Sequence, residues 1–387
     1  MYLAHLSLIN FRNYSQLELD LPAGAVVLYG NNAQGKTNLL EAIYLLSIAK
    51  SFRAQNEREL VSREAARELG QAMVSGTFMR QDGKLRVNVG FQVVARQETE
   101  LEFVVRKQVR VNGAPRTAAE LVGLANAVLF SAQDVELVFG APSLRRRYLD
   151  ILISQVDSQY LRSLQRYQRV LYQRNQLLKT LREGRAGEDE TPFWDAELAK
   201  EGAAIILRRL QALEGLTPLA EQAHSTLAEG EALHLEYTSS LPDIQPGMDA
   251  ESLGTGITGA LQSGKARERA AGMTLVGPHR DDLRLTIGGL EAGTYASRGQ
   301  ARTVGLTLRL AEAAYLATSR GEPPVLLLDD VLSELDTRRR RQVLERALAH
   351  QQSIITTTDL SSIDPALLEH ASRYVVSAGA VVNKDAR

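Results

Sequence analysis

A short segment near the amino terminus restricts the possible folds of this chain more than any other feature. Residues 30–37 read Gly-Asn-Asn-Ala-Gln-Gly-Lys-Thr, which is Gly, four residues, Gly, Lys and Thr. The apolar run Ala25 to Leu28 precedes this pattern, and the amphipathic stretch Asn38 to Leu46 follows it. The pattern predicts a phosphate-binding loop between a strand and a helix whose amino terminus faces the phosphates. A Gly-rich segment alone can be a mere turn, but the lysine, the threonine and both flanks favour the loop.

Each residue type in this segment has a chemical task. Lys36 supplies a point charge toward the β- and γ-phosphates, and the Thr37 hydroxyl can bind magnesium. The residues whose backbone N–H groups are predicted to surround the phosphates are Gly30, Asn31, Asn32, Ala33, Gln34 and Gly35. The segment therefore predicts a nucleoside triphosphate with Mg²⁺ as the cofactor.

A second motif lies far downstream, where the apolar run Val325 to Leu328 ends in Asp329 and Asp330. Such a run is typical of a buried parallel strand, and ligands bind at the carboxyl ends of these strands in an open α/β sheet. We expect Asp329 to hold the magnesium and Asp330 to orient or deprotonate the attacking water. The long separation from the phosphate loop implies that the intervening helical residues are inserted into a single nucleotide-binding α/β fold.

Composition excludes several classes of protein. The chain has 387 residues, no cysteine, and 45 Lys plus Arg against 46 Asp plus Glu. Without cysteine there are no disulfides, thiol nucleophiles or zinc–thiolate sites. No signal peptide and no apolar stretch of about 20 residues is visible, so we expect a cytoplasmic protein with no membrane association. Because the charge is balanced, any nucleic-acid surface must be a local basic patch.

The chain around these motifs divides into a mixed first part, a helical middle and a mixed last part. The first part contains further strand-like runs, several of which alternate as half-buried antiparallel strands do. They are Leu3 to Ile9, Gln16 to Leu21, Met73 to Met79, Leu85 to Val94 and Leu101 to Val105. Val109 to Gly113 predicts a strand that runs into a hairpin turn, because Asn-Gly readily adopts positive φ angles.

The middle of the chain has helical periodicity, with Ser143 as a candidate N-cap. Apolar residues three or four apart from Leu149 to Leu181 predict one amphipathic helix of about 50 Å. A polar break, Gly184 to Pro192, precedes a second helical stretch that begins near Phe193. The two stretches predict either an antiparallel arm or, equally, two ordinary helices of a helical subdomain.

The last part begins after Leu241 to Ser263, which is rich in Gly, Pro, Ser and Asp and predicts a loop. A helix is predicted from about Gly299 to Ala317. The predicted strands are Leu283 to Ile287, Pro324 to Leu328, Ser353 to Thr357 and Val375 to Val382. The predicted division is an ATPase head from residues 1–131 and 271–387, with a helical arm, residues 132–270, inserted between its halves.

A third motif indicates the subclass of nucleotide-binding protein. Ser297-Arg298-Gly299-Gln300 resembles the signature motif of ABC-type ATPases, and Ser333-Glu334-Leu335-Asp336 resembles their D-loop. Taken alone, the first of these would be an ordinary Ser-capped helix start. The resemblance implies that Ser297, Gly299, Gln300 and Asp336 of one subunit complete the γ-phosphate site of another, in a head-to-tail dimer that holds two ATP molecules.

Six segments spread over the full length of the chain together resemble motifs of the bacterial RecF family of recombination mediators. They are Asn10 to Tyr14, Lys50 to Arg53, Arg146 to Asp150, Arg174 to Lys179, Gly277 to Asp282 and Leu328 to Asp336. The resemblance implies an ABC/SMC-type P-loop ATPase head with an inserted helical lobe in place of a very long coiled coil.

Two departures from the ABC pattern bear on turnover. The signature reads Ser-Arg-Gly-Gln, and Thr356 to Asp359 occupies the place where many ABC proteins have a switch histidine. Asp330 is one methylene shorter than the usual glutamate, so slow hydrolysis is expected. Gln133 is the candidate for the metal-contacting Q-loop residue that the resemblance implies.

Several basic residues have a functional and a structural interpretation. The resemblance implies that Arg12 approaches the nucleotide phosphates, and Arg53 is a weaker candidate; a surface arginine paired with a carboxylate is the alternative for both. For His279 we favour a structural role over an interface role. Arg338 to Arg341 is most simply a solvated helix start, with an anionic partner as the alternative.

The resemblance implies an ATP-dependent DNA-binding homodimer of recombinational repair and replication-fork maintenance. It implies binding to single-stranded or gapped duplex DNA, recombinase loading with RecR and RecO, a requirement in the SOS response, and weak ATP hydrolysis stimulated by DNA. The alternatives are the ATPase subunit of a membrane transporter, a P-loop kinase for a small molecule, and a nucleotide-switched scaffold with negligible turnover.

Overall fold

The structure is a computed structural model that describes residues 1–68, 70–95, 103–185, 190–228, 230–242, 244–245, 247–363 and 365–384. The strands, in chain order, are β1 (Tyr2–Phe11), β2 (Tyr14–Asp20), β3 (Gly24–Tyr29), β4 (Gln71–Arg80), β5 (Gly83–Ala95), β6 (Phe103–Val111), β7 (Ala114–Arg116), β8 (Ala127–Ser131), β9 (Leu233–Thr238), β10 (Asp282–Ile287), β11 (Leu290–Glu291), β12 (Val325–Asp329), β13 (Gln352–Thr357), β14 (Ser372–Ser377) and β15 (Ala380–Asn383).

The α-helices are α1 (Lys36–Ile48), α2 (Arg63–Arg67), α3 (Ala118–Leu121), α4 (Glu136–Phe139), α5 (Pro142–Val156), α6 (Ser158–Arg182), α7 (Thr191–Leu227), α8 (Ala250–Ala271), α9 (Ala292–Tyr295), α10 (Arg298–Arg320), α11 (Thr337–Ala349) and α12 (Pro365–Leu368). Short 3₁₀ helices lie at Glu57–Leu60, Ala132–Val135, Val331–Glu334 and Leu360–Ser362.

The chain forms two compact units. The first unit comprises Met1–Asp134 and Leu308–Arg387, and the second comprises Val135–Thr307. The division differs from the predicted one after the helical middle, since residues 271–307 belong to the second unit rather than to the head. The reason is strand pairing: β10 pairs antiparallel with β9, which follows the long helix α7, and β11 pairs with β10.

One sheet of the first unit is antiparallel, with strand order β2-β1-β4-β5-β6-β7. Several of its strands alternate, as the sequence predicts; in β4 the buried residues, among them Val74 and Phe78, alternate with mostly half-buried ones. The predicted hairpin turn is present, with positive φ at Asn112 and Gly113 between β6 and β7. The first two residues of the predicted strand Leu101 to Val105 lie outside the described residues.

The other sheet of the first unit has the order β15-β14-β3-β13-β12-β8 and is parallel except for its edge strand β15. β3 and β12 therefore end at the same edge, separated by β13. The prediction of one final strand from Val375 to Val382 is wrong. The chain reverses at Ala378 and Gly379, whose φ angles of 46° and 77° make the tight turn between β14 and β15.

The prediction of a single helix from Leu149 to Leu181 is also wrong, because the helix is interrupted at Asp157. This residue has extended backbone angles, and its carboxylate accepts the N–H groups of Gln159 and Tyr160 to cap α6. A second correction concerns Ser143, which does not cap α5. Pro142 already occupies the first turn, where its fixed φ and missing N–H are favourable, so α5 begins before the serine.

The helices of the second unit form a packed subdomain. α6 and α7 run antiparallel, as the pairs Arg174–Asp195 and Arg166–Glu201 require. α7 begins at Thr191, within the predicted polar break, of which residues 186–189 lie outside the described part of the chain. α8 packs on both helices, through the pair Arg174–Glu268 and through Ile257 near Gly202. These contacts support the subdomain interpretation of the helical middle.

The predicted loop Leu241 to Ser263 is wrong from residue 250 onward, where α8 begins. Asp249 caps this helix by accepting the N–H of Ser252, and Leu253, Ile257 and Leu261 are buried at four-residue spacing. Burial of this apolar stripe outweighs the low helix propensity of the glycines between them, each of which costs about 1 kcal/mol.

Candidate nucleotide site

The predicted strand and helix on either side of the phosphate-loop segment are β3 and α1. Gly30 and Gly35 have φ angles of 151° and 117°. A Cβ atom on Gly30 would collide with the carbonyl oxygen of Val376, and one on Gly35 would lie 2.7 Å from the hydroxyl of Tyr14. Only glycine therefore fits at these two positions, and the loop backbone is held close to its neighbours.

Lys36 lies at the start of α1 and is folded back over the loop. Its Nζ donates to the carbonyl oxygens of Gly30 at 2.6 Å and Asn31 at 2.8 Å. Burial lowers the pKa of Lys36, while the negative charges of Asp330 and Asp329 act in the opposite direction. The ammonium group is thus placed at the mouth of the loop, where phosphate oxygens can replace the two carbonyls as its acceptors.

Thr37 and Asp329 meet at the shared edge of the parallel sheet. The Thr37 Oγ1 donates to Asp329 Oδ1 at 2.9 Å, and the Thr356 hydroxyl donates to the same oxygen at 3.0 Å. Burial raises the pKa of Asp329, with the two hydroxyl donors acting against that rise. A buried carboxylate next to a hydroxyl is an oxygen donor set that suits Mg²⁺.

The surroundings of this pair fit a magnesium ion that shares its ligands with a nucleotide. Among the described residues, no group of three or more His, Cys, Asp or Glu side chains could hold a metal ion. Mg²⁺ usually takes one or two protein ligands together with phosphates and waters rather than a complete protein cage. Thr37 and Asp329 are of the right type and number to be those ligands.

Asp330 has an unusual backbone conformation for a residue that is not glycine. Its φ is 53°, its N–H donates to the Thr356 hydroxyl at 3.0 Å, and its Oδ1 is buried with no hydrogen-bond partner in the described part of the chain. Left-handed backbone costs on the order of 1 kcal/mol and tends to occur where function requires it. An unsatisfied carboxylate oxygen beside the phosphate loop is suited to accept a hydrogen bond from water.

Three residues with no predicted role in the site hold the loop in place from outside. Asn13 Nδ2 donates to the carbonyl oxygen of Gln34 at 3.0 Å. The N–H groups of Ala378 and Gly379 donate to Gln34 Oε1 at 2.7 Å and to its carbonyl oxygen at 3.2 Å. Asn13 belongs to the noted motif Asn10 to Tyr14, but nothing local to Ala378 and Gly379 indicates contact with the loop.

Arg12 and Arg53 converge on Glu41, a fully buried residue of α1. Arg12 donates to both carboxylate oxygens at 2.8 and 2.7 Å, and Arg53 donates to Oε2 at 2.9 Å. Burial opposes ionisation of Glu41, but the hydrogen bonds from both arginines and Ser51 outweigh it and lower its pKa. The carboxylate-paired alternative therefore describes both arginine side chains. They also line an open cleft of about 900 Å³ that includes Asn13 and Asn38.

Gln133 lies beyond the end of β8, one strand from Asp329. Ser131 is the register partner of Asp329 in the β8–β12 pair, and Gln133 follows as an exposed residue of a 3₁₀ turn. The adjacent Asp134 accepts hydrogen bonds from the Ser131 N–H and from Arg309 of α10. The turn that carries Gln133 is thus anchored next to the carboxylates. A metal contact of its side chain remains a prediction.

The signature-like residues lie in the second unit at the start of α10. Ser297 and Gln300 form a reciprocal cap: the Ser297 N–H donates to Gln300 Oε1 at 2.8 Å, and the Gln300 N–H donates to Ser297 Oγ at 3.2 Å. Gln300 Nε2 also donates to Glu231 at 2.8 Å. The capping role is therefore present, and Ser297 and Gly299 are exposed in addition.

The D-loop-like residues follow β12 in the first unit. Asp336 caps α11 by accepting the N–H of Arg339, and this hydrogen bond lowers the pKa of Asp336. Arg340 donates to the carbonyl oxygens of Leu332 and Leu335, and Arg341 pairs with Glu345. The run Arg338 to Arg341 therefore lies at the start of α11, as the simpler interpretation predicts, and Arg340 also bonds the segment before this helix.

The motif Gly277 to Asp282 has a structural role in the second unit. The Tyr167 hydroxyl lies 2.7 Å from His279 Nδ1, and Asp281 accepts from the Tyr237 hydroxyl at 2.6 Å. Buried Arg209 donates to the Pro278 carbonyl at 2.7 Å. Burial lowers the pKa of His279 to about 4. The structural interpretation of His279 is the one that these contacts support.

Comparison with known proteins defines the family. The family model described as the RecF/RecN/SMC N terminal domain matches residues 2–376. The protein called DNA replication and repair protein RecF from Roseiflexus castenholzii is 43% identical over 391 residues, covering 98% of this chain and 99% of the relative. The chain belongs to the RecF family of SMC-related ATPases. A second RecF, from Chloroflexus aurantiacus, is 42% identical to this RecF-family chain, with 98% and 99% coverage.

Solved structures agree with this assignment. A structure described as the recombination mediator protein RecF-ATPrS in the RecFOR pathway has a TM-score of 0.89 and 34% identity, covering 99% of this chain and 98% of the other. An Smc head domain from Pyrococcus furiosus shares the fold alone, with a TM-score of 0.53 and 16% identity over 99% and 96% of the two chains. The predicted family and ABC/SMC-type head fold are confirmed. In the part of the chain that the structure describes, every helix is too short or too polar to span a lipid bilayer.

Proposed function

We propose that this RecF-family chain is an ATP-dependent DNA-binding protein of recombinational DNA repair and replication-fork maintenance. The observation that carries the proposal is the contact between Thr37, at the end of the phosphate loop, and Asp329, at the end of β12, with 2.9 Å between their oxygens. This contact brings together two motifs from distant parts of the chain, as a single nucleotide site would require.

In the proposed site, backbone N–H groups of residues 30–35 and the Lys36 ammonium bind the phosphates of ATP. Thr37 and Asp329 hold Mg²⁺, with Gln133 as a further candidate ligand; the ion neutralises charge on the phosphates when it is bound. Asp330 orients the attacking water through its unsatisfied carboxylate oxygen. Arg12 contributes indirectly, through its pair with Glu41 on α1.

We propose that the protein dimerises on ATP binding, because its resemblance to ABC-type ATPases implies a nucleotide site shared between two subunits. Ser297, Gly299 and Gln300 of one copy are proposed to complete the γ-phosphate site of the other, with Asp336 at the same interface. The reciprocal cap supports this proposal, because Ser297 Oγ accepts from Gln300 and keeps its own proton to donate. The exposed glycine next to it leaves room for a phosphate group.

Slow hydrolysis is proposed for a structural reason. Thr356 lies at the strand end next to the carboxylates, and its hydroxyl is used by Asp329 and by the Asp330 N–H. A short threonine cannot reach as far as the switch histidine of many ABC proteins. We propose weak turnover that DNA stimulates.

The DNA and partner assignments rest on the RecF relatives, which are called DNA replication and repair proteins and, in one solved structure, a recombination mediator of the RecFOR pathway. We propose that this chain binds single-stranded or gapped duplex DNA, helps to load recombinase there together with RecR and RecO, and is required for the SOS response. The nucleotide-switched scaffold differs from this proposal only in turnover rate. A small-molecule kinase would give the exposed Ser297 no role beyond capping α10.

Sedimentation velocity tests the proposal on wild type and Ser297→Arg, with and without ATP and Mg²⁺, followed by a gapped duplex. We expect an ATP-dependent dimer in wild type only, strengthened by the gapped duplex, while both proteins bind ATP equally. The bulky arginine should block the approach of the partner's γ-phosphate. If both proteins stayed monomeric under all conditions and Ser297→Arg hydrolysed ATP as fast as wild type, a nucleotide site shared between two copies would be contradicted. That result would favour the small-molecule kinase.

A further inference from the structure

Charge is distributed very unevenly between the two antiparallel helices of the second unit. The 25 residues of α6 include five arginines and one lysine, and none of them is acidic. The neighbouring α7 instead carries both signs, with a majority of carboxylates. Since the whole chain has a formal net charge of -1, α6 is a local basic region in a chain that is otherwise balanced.

Five of the six basic residues of α6 face solvent. The exception is Arg174, which is only 2% exposed and is paired with Asp195 and Glu268. We call the other five, together with Tyr172, the α6 basic face. Its members are Arg162, Arg166, Arg169, Tyr172, Lys179 and Arg182.

Most charges on this face are not neutralised by the protein. Arg166 lies 3.5 Å from the buried carboxylate of Glu201 while remaining 60% exposed, so this one charge is partly paired. No carboxylate among the described residues pairs with Arg162, Arg169, Lys179 or Arg182. Holding several like charges on one helix without partners costs free energy, and a polyanion would remove that cost.

The geometry of the face suits an extended ligand. Residues 162, 166 and 169 are three or four apart and lie on one side of the helix, while residues 172, 179 and 182 lie progressively further around it, at about 100° per residue, so the face is a slanted stripe. From residue 162 to residue 182 the helix rises about 30 Å, at about 1.5 Å per residue. Duplex DNA presents a phosphate charge about every 1.7 Å along its axis when both strands are counted, so a stripe of this length can contact several phosphates.

The basic region continues from α6 onto α8. Arg182 Nη1 donates to the carbonyl oxygen of Ala271, at the end of α8. A cleft of about 640 Å³ beside this contact is lined by three basic residues, Arg182, Lys265 and Arg269, and by no acidic residue. The cleft extends the α6 basic face beyond the end of its helix.

We propose that the α6 basic face binds the phosphate backbone of double-stranded DNA, an assignment that rests on the proposed function and specifies the surface it uses. Duplex is favoured over single strand because only one aromatic residue, Tyr172, is exposed on the face, whereas single-strand sites stack successive bases on several aromatic rings. The exposed glutamines 165, 168 and 173 between the charges are further donors to phosphate oxygens. Binding through this face is independent of base sequence.

The first test is fluorescence anisotropy of a 30-base-pair duplex with full-length protein, ATP and Mg²⁺, at several salt concentrations. The variant Arg162→Gln/Arg169→Gln/Lys179→Gln removes three charges from the face. A matched control, Lys84→Gln/Arg86→Gln/Arg110→Gln, removes three exposed charges from the antiparallel sheet of the first unit. Affinity for ATP, measured separately, should be unchanged in both variants.

We expect the α6 variant to bind duplex at least tenfold more weakly near 0.1 M salt. The plot of the logarithm of the binding constant against the logarithm of the salt concentration should be shallower by about 2 to 3, because each lost phosphate contact changes its slope by about 0.9. The control should match wild type. Equal loss in both variants would indicate a net-charge effect and overturn the proposal, as would unchanged binding by the α6 variant. If wild type itself bound no DNA, the proposed function would fail as well, and the two failures are thereby distinguished.

A second test locates the contact directly. A photo-crosslinking phenylalanine analogue at Tyr172, which is 61% exposed, should crosslink to the duplex, whereas the same analogue at Phe193 of α7, which is 60% exposed, should not. Crosslinking from Phe193 alone would overturn the proposal. The proposal would also fail if the α6 variant lost binding to anionic phosphatidylglycerol vesicles but bound duplex DNA as well as wild type does. In that case the face would bind a membrane.

Discussion

The backbone N–H of Gly379 donates a hydrogen bond to the carbonyl oxygen of Gln34 at 3.2 Å, which joins the turn of the last hairpin to the middle of the phosphate loop. The N–H of Ala378 adds a second bond, to Gln34 Oε1 at 2.7 Å. Asn13 binds the same carbonyl oxygen of Gln34 from the other end of the chain. The loop conformation therefore depends on residues near both termini.

Gly379→Ala should weaken ATP binding by about tenfold. A Cβ at this position would lie 2.5 Å from the carbonyl oxygen of Asn13, so the turn must move away from the loop. Gly321→Ala is the matched control, since Gly321 has nearly the same φ, 75° against 77°, but open space around its Cβ. Both variants carry the backbone strain, about 1 kcal/mol. Isothermal titration with Mg-ATP should separate them, and equal affinities would contradict the role of the hairpin.

Lys36→Ala and Asp330→Asn should have opposite effects on ATP occupancy. Loss of the lysine removes the charge that faces the phosphates, so ATP binding and every ATP-dependent property should disappear. Asp330→Asn should keep ATP bound, lower hydrolysis by about a hundredfold and accumulate the dimer. Filter binding and sedimentation measure the two properties. Normal ATP affinity in the first variant, or rapid turnover in the second, would show that the roles are misassigned.

Thr356→Val should lower the hydrolysis rate by about tenfold while ATP affinity changes little. The substitution conserves shape but leaves the Asp330 N–H without its acceptor and removes one of the two hydroxyls on Asp329 Oδ1. Thr357→Val, on the same strand, is the control, because the hydroxyl of Thr357 bonds the backbone of Asp359 instead. The kcat of ATP hydrolysis is the measurement, and equal rates in the two variants would contradict a positioning role for Thr356.

Arg174→Met should destabilise the second unit by about 3 to 5 kcal/mol, because it leaves Glu268 buried and charged without its partner. Adding Glu268→Gln should recover a large part of this loss, since the amide needs no counter-charge and its oxygen can still accept the Leu275 N–H. Chemical denaturation followed by circular dichroism gives both free energies. A double variant less stable than Arg174→Met would refute the explanation from an unpaired charge.

His279 should make unfolding pH-dependent between pH 6.5 and about 4. Its folded pKa is lowered to about 4 by burial, below the ordinary value of 6.5. Above pH 6.5 the histidine is neutral in both states; below it the unfolded chain binds a proton that the folded chain excludes. The free energy of unfolding should therefore decrease as the pH is lowered from 6.5 to about 4, by up to about 1.4 kcal/mol per pH unit. His279→Gln should remove this contribution. Parallel slopes for the two proteins in this window would contradict the prediction.

The sequence alone determined the parts of the protein that depend on local patterns. The phosphate loop with β3 and α1, the buried strand before Asp329, and the Asn112–Gly113 turn follow from short-range spacing and residue type, and the structure has each of them. The family and the head fold follow from motifs in a fixed order along the chain, and the comparisons confirm both.

Local sequence pattern gave wrong predictions of helices where a single residue or packing against a distant part of the chain determines where a helix forms. Asp157 divides one apolar periodicity into α5 and α6, because an N-cap can begin a new helix without changing the spacing of apolar residues. α8 forms through glycines because Leu253, Ile257 and Leu261 are buried against other helices. Neither outcome can be read from composition.

Only the tertiary structure decided which residues surround the nucleotide loop. The sequence placed Lys36, Thr37, Asp329 and Asp330 near one site, since parallel strands bring their carboxyl ends to one edge. It could not show that Thr356 bonds both carboxylate residues, or that Gly379 bonds Gln34. These contacts arise from the order of strands in the sheet, which puts β13 between β3 and β12 and β14 beside β3. Strand order is set by long-range pairing and by packing of the whole sheet, which leave no signal in the residues on either side of a contact.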